Sequence, residues 1–154
     1  MSSRKDTLFL ETTTVPAAKS MAEITAVLVK AGARTINTTY EDGKPAGLEW
    51  SMVLYDRPVY FQMPVKVEPV YKTLRSRVSG VVSRDRDLRL REQAERVAWR
   101  QLLAWINVQM ALIRLGMVEY AQVFLPYVAE SPGGRTMWDV ARDSHFRMIE
   151  GPKQ

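Results

Sequence analysis

In "RTINTTYEDGKPAGLEWSMVLYDRPVYFQMPV", residues 34–65, apolar side chains recur at every second position, the repeat of a strand that buries one face. Leu48, Trp50, Met52 and Leu54 alternate with Glu49, Ser51, Val53 and Tyr55. Val59, Phe61, Met63 and Val65 supply the core face of a following strand, which Pro64 limits or places at an edge because proline cannot donate to a ladder. Asp42-Gly43 predicts a tight hairpin, since both residues tolerate positive φ, and "DRP" at 56–58 predicts a second turn. The segment therefore reads as a three-stranded antiparallel meander.

Toward the N-terminus, the Thr-rich "TLFLETTTV" at 7–15 predicts a further strand, ended by Pro16. Ser20 and Glu23 have capping-box spacing, so a helix is expected over 21–31 that buries Ile24, Val27 and Leu28. Gly32 suits the left-handed position that follows it.

Toward the C-terminus, a short helix is expected after Pro69 and a basic loop over 75–86. A long helix should then run over 87–115, stopped by Gly116. Trp99, Leu102, Leu103, Ile106, Met110 and Ile113 form its apolar stripe, which Trp105, Val108, Leu112 and Leu115 widen. Such breadth fits either a helix covered on most sides or the seam of a homodimer. Thr136 and Asp139 repeat the capping-box spacing before an expected last helix at 137–148, and 150–154 should fray.

These elements predict one α+β domain over 1–154, in the order β-α-β-β-β-α. Its antiparallel sheet of about four strands would pack against the long C-terminal helix, with the Trp99 stripe meeting Leu48, Trp50, Met52, Phe61 and Met63.

A chain of 154 residues is long enough to bury a core without metal or disulfide staples, and its 46% hydrophobic and 25% charged residues are globular proportions. With no cysteine, thiolate chemistry and disulfides are excluded. The polar start and the lack of a long apolar run predict a cytoplasmic protein without a leader or membrane partner.

Several landmarks occur together: Ala22–Ile24 and Ala31–Ala33 around the first helix, "DRPVYFQMP" at 56–64, "QAERVAWRQL" at 93–102, Phe124-Leu125, and "GRTMW" at 134–138. In these the chain resembles a family of short, mostly uncharacterised proteins of bacteriophages and bacterial mobile elements. The resemblance runs over nearly the whole chain and departs from the pattern at Asp56, where the family has glycine, and at Pro126-Tyr127. It implies a phage or mobile-DNA context and carries no catalytic residue.

The residues themselves point away from catalysis. Phosphate-loop, dinucleotide, nucleophile-elbow and zinc-protease motifs are all absent. His145 is the only histidine and is read as incidental; no metal or other cofactor is expected. "SPGGR" at 131–135 lacks the lysine of a phosphate loop, and the acidic pairs Glu41-Asp42 and Asp85/Asp87 suit a turn and a helix start.

Charge is the one pronounced feature. Residues 72–100 hold nine basic and four acidic side chains, which accounts for the whole net charge of +5, with thirteen of each sign elsewhere. Such a patch attracts polyanions. Arg75, Arg77, Arg84, Arg86 and Arg89 are candidate phosphate contacts, and Arg96 and Arg100 extend the track along the helix. Tyr40, Tyr55 and Tyr60 on the outer sheet face, or Trp50 were the faces reversed, are candidate stacking platforms for unpaired bases.

The competing reading is a solvated helix whose arginines pair i,i+4 as Asp85/Arg89, Asp87/Arg91 and Glu92/Arg96. The expectation is a non-enzymatic accessory protein that binds nucleic acid, single-stranded more readily than duplex. The alternative is an inhibitor or adaptor that docks on an acidic surface of a host protein.

Overall fold

Two tight turns set the sheet. In the computed structural model, which describes residues 6–152, Asp42 and Gly43 take φ of 50° and 75° between β1 (Thr35–Glu41) and β2 (Lys44–Leu54). Tyr55 and Asp56 take φ of 51° and 61° between β2 and β3 (Arg57–Pro64). Positive φ at both central residues matches the twist of the flanking strands, so each pair closes a two-residue hairpin. The second turn thus lies at 55–56 and not at 56–58, with Pro58 already in β3 opposite Val53.

The expected meander is present, and β4 (Val128–Ala129) completes a sheet of order β1-β2-β3-β4. The fold is α+β, with four antiparallel strands and five α-helices among the described residues. The fourth strand pairs Tyr60 with Ala129 and Phe61 with Val128, a partner that the sequence did not disclose. The sequence expectations at 1–6 and 150–154 fall in part outside the described residues.

The chain divides into two compact units, each formed from two separate stretches. The first comprises residues 1–27 and 65–108, the second 28–64 and 109–154.

In the first unit the expected strand at 7–15 is absent. Its backbone makes two successive turns, Glu11 N–H to Leu8 O and Thr13 N–H to Leu10 O, with Leu10 at φ 60°. Carbonyls that a ladder would have satisfied accept from side chains instead. α1 (Ala17–Lys30) starts directly after Pro16 and not at Met21, so Ser20 lies inside the helix and does not cap it. α2 (Glu68–Ser76), with Pro69 in its first turn, and α3 (Arg84–Arg114) leave only 77–83 as their connection, shorter than the expected loop. Ile24, Val65, Leu74, Ala94, Val97, Ala98, Trp99, Leu103 and Ile106 are buried here.

In the second unit Leu48, Trp50, Met52, Phe61, Met63 and Phe124 are buried. Trp50 stacks on Phe61 with centroids 5.0 Å apart, and Phe124 meets both rings edge-on. α4 (Tyr120–Phe124) supplies Tyr120, whose hydroxyl accepts from Trp50 Nε1 at 3.0 Å. Burial pushes the Tyr120 phenol up to about 12. α5 (Met137–Asp143) has the expected Thr136/Asp139 capping box but stops five residues before 148, where Ser144 caps it and His145 and Phe146 turn left-handed.

The long helix keeps its expected stripe at Trp99, Leu103, Ile106 and Met110, all buried, and Gly116 follows it at φ 72°. Its apolar breadth is not fully covered: Val108 and Leu115 are exposed. No helix among the described residues is long and apolar enough to cross a membrane.

Candidate nucleic-acid interface

The α3 backbone determines which arginines share a face. At 100° per residue, Arg86, Arg89, Arg96 and Arg100 fall on one side of the helix with Gln93, while Arg84 projects from the first turn elsewhere.

Their side chains divide by what they touch. Arg84, Arg86 and Arg89 are exposed and form no ion pair among the described residues. Of the three expected i,i+4 pairs only Asp87/Arg91 forms, with Nε 3.2 Å from Oδ2; Asp85 leaves Arg89 free, and Arg96 turns to Gln93 and not to Glu92.

The remaining arginines are structural. Arg75 donates to Val78 O at 3.0 Å and to Gly80 O at 3.2 Å, which shapes the connection after α2. Arg77 pairs with the Glu11 carboxylate and donates to Asp6 O. Arg100 pairs with Glu23 at 2.9 Å. Arg96 gives two bonds, 2.9 and 2.7 Å, to Gln93 Oε1.

Beside this face stands a small network that the sequence did not mark. Tyr71 donates to Asp87, and the Arg91 guanidinium lies 3.9 Å from the centre of the Tyr71 ring, a cation–π distance. The Tyr71 bond holds the Asp87 carboxyl below its ordinary range and, as the main cause, raises the Tyr71 phenol. Asp87 is thus fully engaged and competes little for a ligand at Arg86 or Arg89.

The tyrosines belong to the second unit and do not form one platform. Tyr40, at the irregularity between β1 and β2, has an exposed ring. Tyr55 has left the strand for the turn, where its hydroxyl donates to Glu119 at 3.2 Å, the first cause of its raised phenol. Tyr60 is half-buried opposite Ser51, on the outer face as expected. Trp50 is buried and offers no ring to a ligand.

The clamping roles of Glu11, Gln93 and Gln101 were not legible in the sequence, which put Gln93 on the face of Arg89, Arg96 and Arg100 and no more. Gln93 Nε2 donates to Glu11 O at 2.8 Å and to Thr13 O at 3.0 Å, and Gln101 Nε2 to Phe9 O at 2.6 Å. The only available signal was the presence of two amides among arginines on one helix. No cluster of metal-ligating side chains occurs among the described residues. No family model, curated protein or solved structure matches the chain.

Proposed function

We propose that this is a non-enzymatic accessory protein of a phage or mobile element that binds nucleic acid, with Arg84, Arg86 and Arg89 as its backbone contacts. The supporting observation is that these three guanidinium groups alone among the candidate arginines are both exposed and uncommitted to any partner in the described residues. A guanidinium that is already solvated and free loses no protein contact when a phosphate takes it. In the second unit the rings of Tyr40 and Tyr55 are exposed singly, and each can stack an unpaired base irrespective of sequence.

Fluorescence anisotropy with labelled single-stranded DNA, duplex DNA and RNA tests this reading in 50 mM salt. Wild type should bind the single strands most tightly, and the variant with Arg84, Arg86 and Arg89 changed to Ala should lose most of that affinity. Equal affinity of the two proteins removes these arginines from the reading, and absence of any binding removes nucleic acid.

A second reading has its own observation. Val81 is fully exposed and Leu88 is 49% exposed, next to the same arginines. Apolar groups with a basic rim suit docking on an acidic protein surface, as an inhibitor or adaptor would use. Val81→Asp and Leu88→Asp would abolish that binding and leave a phosphate contact comparatively intact.

A further inference from the structure

The long-range polar bonds that fasten the N-terminal segment of the first unit come from side chains of the basic region. Phe9 O accepts from Gln101, Glu11 O and Thr13 O accept from Gln93, and Asp6 O and the Glu11 carboxylate accept from Arg77. Its backbone makes only short turns of its own. A segment held by a few polar bonds, two of its residues being Leu10 in a left-handed conformation and an exposed Phe9, opens at lower cost than a ladder-paired strand.

The groups it occupies are those a polyanion would use. Arg77 has side-chain exposure of only 23% with Glu11 against it, and Glu11 only 19%. The Glu11 carboxylate sets Oε1 against Arg77 Nη1 in a charge-assisted contact of the kind a phosphate oxygen makes, while its Oε2 accepts from Leu8 N–H and Arg77 Nη2 donates to Asp6 O. Gln93, from which the segment hangs, lies on the helix face of Arg86, Arg89, Arg96 and Arg100 and also holds Arg96.

We propose that residues 6–13 form a displaceable strap that keeps part of the binding surface latent, with Glu11 standing on Arg77 where a backbone phosphate goes when nucleic acid is bound. The strap competes with the strand for Arg77 and, through Gln93, for Arg96. The free arginines Arg84, Arg86 and Arg89 make the first contact, and displacement of the strap adds Arg77 to it. This inference rests on the nucleic-acid reading above and adds its regulation.

The test uses full-length wild type, Glu11→Gln and Arg77→Gln, each titrated with a labelled single-stranded DNA, together with hydrogen exchange of the Leu8, Glu11 and Thr13 amides. Removing the Glu11 charge frees one phosphate contact. By counterion release it should tighten binding about 8-fold at 50 mM salt and about 3-fold at 200 mM. Arg77→Gln should loosen the same amides without tightening binding, because the latent contact has been deleted along with the clasp. In wild type, saturation with DNA should accelerate exchange at the three amides.

If wild type binds and Glu11→Gln binds no better, or if the amides keep their protection under saturating DNA, the strap proposal is overturned while nucleic-acid binding stands. If Glu11→Gln binds and wild type does not, the strap is supported as a closed clasp, and the reading in which Arg84, Arg86 and Arg89 bind with the strap in place falls. If neither binds any strand, both fall.

Discussion

Arg96 donates twice to Gln93 Oε1, and this fixes the Gln93 amide so that both of its N–H bonds point at the backbone of residues 11 and 13. All hydrogen-bonding capacity of the amide is in use: two donors given, two bonds accepted. A basic side chain that reads in the sequence as a ligand contact thus sets the orientation of a clamp.

Gln93→Ala removes both carbonyl partners and the acceptor for Arg96. Unfolding in urea should show a loss of about 1–2 kcal/mol, since partly exposed hydrogen bonds each contribute about 1 kcal/mol net. Limited proteolysis should cut first within 6–13. An unchanged cleavage pattern would show that the clamp does not hold the segment.

Ser20 is fully buried in α1, and its hydroxyl has no partner among the described residues. An unpaired buried hydroxyl costs about 1–3 kcal/mol, and alanine is also the better helix former. Ser20→Ala should therefore raise the thermal midpoint. A fall would show that the hydroxyl makes a bond in solution.

Tyr120 supplies a pH dependence whose sign follows from its raised phenol. Folding holds Tyr120 neutral up to about pH 12, whereas the unfolded chain ionises near the ordinary value of 10.0. Its contribution is fully present below pH 10, declines between 10 and about 12 as only the unfolded state loses the proton, and is gone above that. Two pH units correspond to roughly 2–3 kcal/mol. Tyr120→Phe should flatten this decline in alkaline urea titrations, and at neutral pH should cost about 1–3 kcal/mol by orphaning the Trp50 indole N–H. An unchanged alkaline slope would assign the decline to other groups.

Gly47 in β2 packs where a side chain does not fit. A Cβ would stand 2.7 Å from Met63 O and 2.9 Å from Thr39 Oγ1, so both neighbouring strands crowd it. Gly47→Ala should cost about 1–3 kcal/mol in denaturant unfolding, and a neutral result would mean that β1 and β3 can both move aside.

The sheet was legible because its information is local. Alternation over 48–54 and the Asp42-Gly43 pair fix the faces and the first hairpin without any distant partner. The second turn was displaced by one residue because Tyr55 takes a positive φ that its side chain disfavours, against the visible signal of Pro58. The first strand failed for a different reason. Thr-rich residues favour a strand only where one is available to pair, and here Gln93, 82 positions from Glu11, takes the carbonyl. The candidate site was legible to the same extent: the arginines and their helix face could be read, but not which were already engaged. Arg100 meets Glu23 across 77 positions, and Arg77 meets Glu11 across 66. Only Asp87/Arg91 was a pair that local spacing could disclose.

The most direct test of the central claim is the salt dependence of single-stranded DNA binding, for wild type and for the variant with Arg84, Arg86 and Arg89 changed to Ala. Three phosphate contacts imply a log–log slope of about −2 and a loss of about 20-fold between 50 and 200 mM salt. The account predicts that slope, steeper if the strap also opens, and a nearly flat response in the variant. Equal slopes in the two proteins would contradict it, because the counterions would then be released by other residues.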